Sequence, residues 1–310
     1  MKGLRNMKKQ KKRTGMVKEN NSLSRTVFHI FNYTLMIIMV LLAVIPLIYI
    51  VSLSFSSSSA VDAGKVVLWP VEPTLKSYEF ILGNKEFYRA FFMSVYRVTL
   101  GVPLNLLFCV LVAYPLSKSD RQFAARKYYV WLFVVTMFFS GGIIPSFMIV
   151  KYTGLIDTIG ALVIPSMVSV FNMLILLNFF RDIPTELEES ALIDGAGHMR
   201  ILFNIFIPLA KPAIATLALF CFVTHWNSWF DGLMYINDTG KYPLQTYLQG
   251  ILTAPDLTTL TNEQLIIWAS TSRKATNAAQ IVVATLPIMV VYPFLQKFYT
   301  KGLTLGGVKG

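Results

Sequence analysis

TELEESALIDGAGHMRILFNIFIP, residues Thr185 to Pro208, is a polar island of 24 residues set between long apolar runs. Glu186, Glu188, Glu189 and Asp194 gather four carboxylates within ten residues here and nowhere else in the chain, with no Lys or Arg among them. Thr185 followed by Glu188 has the Ser/Thr-x-x-Glu spacing of a capping box, so a short helix is expected to start there, its acids at the positive end of the helix dipole. Gly195 and Gly197 end it. A second short amphipathic helix is expected over Met199 to Phe206, and Pro208 leads into the next apolar run with its missing N–H where a helix start tolerates it. The pattern is a helix, a hinge and a helix lying at a membrane surface.

The composition around that island is that of an integral membrane protein. Of 310 residues 55% are hydrophobic and only 14% charged, with a mean hydropathy of +0.56, whereas soluble domains carry about one quarter charged residues. Cys109 and Cys221 fall inside apolar runs and read as packing thiols, not as a disulfide or metal site. The net charge of +12 is concentrated: nine Lys/Arg sit in residues 1–26 against the single acid Glu19. Such an arm beside a span reads as a cytoplasmic anchor near anionic lipid and not as a nucleic-acid surface. Val27 to Leu53 is 27 residues without Lys, Arg, Asp or Glu, too long for a signal-peptide core, so it is expected to remain as a span.

Five further spans follow: about Phe91 to Leu116, Tyr128 to Val150, Thr158 to Phe180, Ala213 to Leu233 and Ala278 to Phe294. The expected fold is thus all-α, with six transmembrane helices in a permease domain over residues 27–310 (core 91–296, central loop 181–211, tail 297–310). Gly141, Gly142 and Pro145 mark either a plain helix end or a break facing a pathway. Arg97, the one cation inside a span, either snorkels to the interface, which is the reading favoured by its position, or lines a path. Two long connectors, Ser54 to Arg89 with a short helix around Leu75 to Leu82, and Tyr235 to Asn277, are assigned to the outside. The segments assigned to the inside hold nineteen Lys/Arg and those outside eight, so both termini and the central loop are expected in the cytoplasm.

Catalytic patterns are missing. Gly302 to Gly310 lacks the Lys-Ser/Thr of a P-loop, and there is no His-Glu-x-x-His or Gly-x-Ser-x-Gly. His29 and His225 read as interfacial and His198 as a loop hydrogen-bonder. Asp231 is the only acid in any expected span, which weakens proton coupling, and no internal repeat of the kind found in inverted-repeat transporters is visible. What is left is a conduit driven from outside its own chain. The alternatives are a membrane-embedded enzyme or an autonomous channel.

Glu189-Ser190-Ala191, Gly195, Ile205, Ile207 and Pro208 resemble the "EAA" loop, Glu-Ala-Ala-(three)-Gly-(nine)-Ile-x-Leu-Pro, of the MetI-like permease subunits of binding-protein-dependent ABC importers. The spacing matches throughout, with departures only at Ser190 and Ile207. The resemblance implies a type I importer fold in which this loop is the coupling helix docked on a cytoplasmic ATPase. Carried over to this chain, the coupling residues are Glu186, Glu188, Glu189, Ala191, Asp194, Gly195, Ala196, Ile205 and Pro208. The tail from Gln296, QKFYTKGLTLGGVKG, is similar to that of sugar permeases related to the smaller permease subunit of the maltose transporter, with oligosaccharide and uronate-rich glycan permeases nearest. That branch implies a second homologous permease, two ATPase subunits that hold the ATP and magnesium, an extracellular solute-binding protein docked on the outer connectors, and no cofactor in this chain. Trp226, Asn227, Trp229 and Asp231, with Asn172, are the candidate substrate path, since sugars stack on aromatic faces beside amides and carboxylates. The same tryptophans equally fit an aromatic belt. An importer of another polar solute, such as an amino acid or peptide, is the second reading.

Overall fold

The computed structural model describes residues 23–253 and 272–306, with side chains described over 25–250 and 272–293. Most of the basic arm, the middle of the second long connector and the end of the tail lie outside the described residues. Every regular element among those described is a helix.

Three helices are long and apolar enough to cross a membrane unaided. The first, α1 (Leu23–Ser54), contains Pro46 and buries none of its most apolar stretch, although it runs alongside the last long helix; most of its apolar surface is open. Two short helices follow, α2 (Ser58–Asp62) and α3 (Lys76–Leu82), the latter where a short helix is expected. Helix α4 (Lys85–Ser117) begins at Asn84, whose side chain accepts from the Glu86 N–H at 2.9 Å, with Glu86 in the first turn. Its 33 residues span about 50 Å at 1.5 Å each, more than the hydrocarbon needs. The third long helix, α14 (Arg273–Gly306), carries Pro287 and Pro293.

The other apolar runs are bent, and six spans are reached only if each bent pair is counted as one. Helices α5 (Arg126–Phe138) and α6 (Ile143–Tyr152) meet at 117°. Gly142 at the break has φ +90°, a left-handed conformation that glycine alone adopts without strain. Helix α7 (Ile159–Val163) passes through a 3-10 turn at Ile164–Ser166, holding Pro165, into α8 (Val170–Arg181) at 47°. The central loop forms α9 (Thr185–Ile193) and α10 (His198–Leu209), the middle of which, Leu202–Phe206, is π-helical. After an 82° bend comes α11 (Lys211–Asn227), with Pro212 in its first turn. The expected span Ala213 to Leu233 stops at Asn227: Ser228 and Trp229 leave the helix and α12 (Phe230–Tyr235) restarts it. Helix α13 (Leu244–Thr253) then opens the second long connector.

Helix α4 is the spine of the bundle, packed against α8 and α11 along its sides and against α3, α7 and α13 near its start. Two apolar clusters form along it. At the end shared with α9, Cys109, Ala113 and Tyr114 meet Met173, Leu177 and Phe180 of α8, Phe206 of α10 and Leu217 of α11. At the other end, Phe87 and Val98 meet Trp226, Leu244 and Ala284. Between them α4 and α11 touch at Gly101, where an added Cβ would come within 2.6 Å of the His225 ring. His225 is therefore buried between helices, 3.3 Å from the Asn105 amide, and not interfacial as its place near a span end suggests.

Candidate functional site: a central loop and the polar end opposite it

Helix α9 begins at Thr185, as the acidic pattern requires, but no capping box forms. Pro184 holds the N-cap position and Glu188 turns inward, where its carboxylate accepts from Lys118 Nζ at 2.6 Å. Both side chains are more than nine-tenths buried, and the Lys118 ammonium also lies 3.8 Å from the centre of the Tyr114 ring and 4.3 Å from that of Phe206. Burial pushes the Lys118 pKa down, against the opposing pull of Glu188. A desolvated ion pair outweighs a reach back to one backbone N–H, so the side chain expected to cap α9 instead fastens it to the end of α4. Lys118 is the partner that the sequence reading missed; a cation one residue past a span looks like any other positive-inside charge.

The remaining loop residues divide by exposure. Glu186, Glu189, Asp194 and Gly195 face outward with Pro208, while Ala191, Ala196 and Ile205 pack partly against the α4/α8 cluster. Gly195 has φ +77° and nothing within 4 Å of where a Cβ would sit, so the hinge needs glycine for its backbone angle and not for close approach. Leu187, Leu192 and Ile193 are exposed beside the acids, Ile193 by 87%. The outward surface of α9 is thus acidic and apolar together.

At the opposite end the path candidates separate. Trp226 is 2% exposed, donates from Nε1 to the Ala284 carbonyl at 2.9 Å, and packs on Phe91 and Phe222. Asn172 is buried, its amide donating to the Cys221 sulfur at 3.4 Å. Asp231 is taken by Arg97, and this overturns the expectation that Arg97 snorkels: the guanidinium is 2% exposed. It donates to both Asp231 carboxylate oxygens and to the carbonyls of Leu162 at 3.2 Å and Ser228 at 3.3 Å. Those carbonyls lie where α7 gives way to its 3-10 turn and where α11 breaks, so Arg97 partners backbone groups that interrupted helices leave over. Asn227 and Trp229 remain exposed, on a recess shared with α13 and α14.

Residues 80–304 match the family model described as "Binding-protein-dependent transport system inner membrane component". Over 93% of its length the chain is 37% identical to the polygalacturonan/rhamnogalacturonan transport system permease protein YtcP of Bacillus subtilis (strain 168), all of which is covered. It is 38% identical to protein LplC of the same organism, over 94% of this chain and 98% of LplC. Among solved structures, a chain of a bacterial ABC transporter involved in the import of the acidic polysaccharide alginate superposes with a TM-score of 0.81 at 34% identity, covering 90% of this chain and 98% of that one.

Proposed function

The chain belongs to the family of binding-protein-dependent transport system inner membrane components, and from that premise we propose that it passes an acidic oligosaccharide from an extracellular binding protein into the cytoplasm. It is a multi-pass membrane permease and a transport subunit, not an enzyme; ATP hydrolysis belongs to a partner. The observation that carries the substrate class is the sequence identity of 34 to 38% over at least 90% of the chain to permeases whose names or descriptions specify pectic or alginate polysaccharides or that are related at the same level.

In this reading the chain crosses six times, at α1, α4, α5 with α6, α7 with α8, α11 and α14, and the basic arm, the central loop with α9 and α10, and the tail face the cytoplasm. A second homologous permease, two ATPases carrying ATP and magnesium, and the binding protein complete the importer. Helix α9 is the coupling helix: Glu186, Glu189, Asp194 and the apolar Ile193 meet the ATPase, and Glu188 passes its movement to α4 through Lys118. The peptide, amino acid, enzyme and channel readings have no comparable support from residues or relatives.

Reconstitution of the complete complex in liposomes tests the proposal. Oligogalacturonides or alginate oligomers presented with the binding protein are expected to stimulate ATP turnover and enter the lumen, with neither amino acids nor peptides doing so. Glycan flux through liposomes holding this chain alone would overturn it, as would stimulation by peptides only.

A further inference from the structure

A recess of about 240 Å3 opens between the end of α11, α13 and α14. Among the described residues its lining carries five side-chain amides, those of Asn227, Gln245, Gln249, Asn277 and Gln280, with Trp229 beside them, and no charged group. Gln280 is 3% exposed, and its Oε1 has no hydrogen-bond partner among the described residues. An orphaned buried amide oxygen is costly, and a donor entering the recess would relieve that cost.

We propose that this recess is a glycan subsite that holds one sugar ring through its hydroxyls, with Trp229 beside it and Gln280 Oε1 accepting a hydrogen bond from one of them. It rests on the carbohydrate reading above and adds the residues and the mode of recognition. An amide offers two N–H donors and a carbonyl acceptor, so paired amides match vicinal hydroxyls, each of which donates and accepts. The volume lies below the range of about 300–1,000 Å3 usual for larger ligands, which suits one ring of a chain and not a folded oligomer. The described lining, amide and apolar, matches the hydroxyl pattern and leaves a substrate's carboxylates to other surfaces. Recognition by these residues is accordingly insensitive to ionic strength, since they offer no ion pair for salt to screen.

The proposal is tested on the assembled complex with an Asn277→Cys variant carrying no other change, since both native cysteines are buried. A water-soluble thiosulfonate reagent reports access to the recess with and without saturating oligogalacturonide or neutral galacto-oligosaccharide. Protection by at least about tenfold, equivalent to about 1.4 kcal/mol, is expected from either glycan, and to the same extent at low and high salt. A second variant, Gln280→Leu, removes the acceptor without leaving a buried polar atom; it is expected to raise the KM for glycan uptake about tenfold with maximal ATP turnover and protein level unchanged. Equal labelling with and without glycan, or an unchanged KM, overturns the subsite while leaving the importer reading intact. Protection lost in high salt assigns the contact to charge and overturns it too. Failure of any glycan to stimulate the unmodified complex strikes the carbohydrate reading itself.

Discussion

Arg97 and Asp231 hold two opposite charges between helices at the end of the bundle away from α9. Asp231 accepts not only from Arg97 but from Ser228 Oγ at 2.8 Å and the Gly232 N–H at 2.9 Å, so the pair anchors the interruption between α11 and α12. Removing one partner strands the other, which costs about 3–5 kcal/mol for a buried pair. Asp231→Asn is expected to lower the thermal midpoint of the detergent-solubilised protein sharply, and Arg97→Met with Asp231→Leu to recover most of the loss; equal stability of Asp231→Asn and the parent would refute the pairing. A second ion pair sits at the surface, where Asp157 joins the turn after α6 to the turn before α13. Its carboxyl is held below its ordinary value, first by the hydrogen bond from Lys241 Nζ at 2.7 Å and then by backbone N–H groups of Asp238 and Asn237. A depressed carboxylate pKa contributes stability that is present above the unfolded value and lost as pH falls through the folded one. The Asn237 and Asp238 amides should therefore keep their protection from hydrogen exchange as pH drops past about 3.9, the ordinary aspartate value, and lose it only below; Asp157→Asn should abolish that pH dependence.

Helix α9 works as an element because its two ends are fixed differently. Glu188 ties its first turns to α4, and Gly195 releases its last turn through a left-handed angle. A residue with a Cβ at that angle costs about 1–2 kcal/mol, and nothing nearby would clash with it. Gly195→Val is expected to leave the protein inserted and the complex assembled while glycan uptake per ATP hydrolysed falls severalfold, and Gly195→Asn to retain more coupling, since asparagine tolerates this region. Uptake per ATP at the parental level in Gly195→Val would sink this account of the hinge. The element was legible in the sequence because its acids, glycines and prolines are local signals. The direction of Glu188 was not, since its partner Lys118 lies 70 residues away, and neither was the fate of Arg97, decided by an aspartate 134 residues on. The breaks in the spans were partly legible: Gly142 announces one of them, whereas the turn at Pro165 was not anticipated and Ser228 and Trp229 interrupt α11 with residues that ordinary helices accept. Local chemistry writes itself into neighbouring residues; a tertiary ion pair does not.

At the scale of the molecule, the proposed coupling of α9 to the recess near α13 has two routes open to it: one runs through Lys118 into α4 and one through α10 into α11, and both helices run on to the opposite end. They are held together at Gly101, whose missing side chain admits the His225 ring, itself 3.3 Å from Asn105. If α4 and α11 move as one body, that contact is the rivet. Gly101→Ala would place a methyl 2.6 Å from His225 Nε2, and overpacking of this kind costs typically about 1–3 kcal/mol. The expected outcome is a lower thermal midpoint together with weaker coupling of uptake to ATP turnover. His225→Ala opens space, so the double variant Gly101→Ala, His225→Ala should be more stable than the sum of the single effects predicts, an interaction measurable in a double-mutant cycle. Additive effects would place the two residues out of energetic contact, and the two helices would then have to carry motion separately. Coupling restored in the double variant along with stability would show that the close seam itself, and not the imidazole, is what joins the two ends.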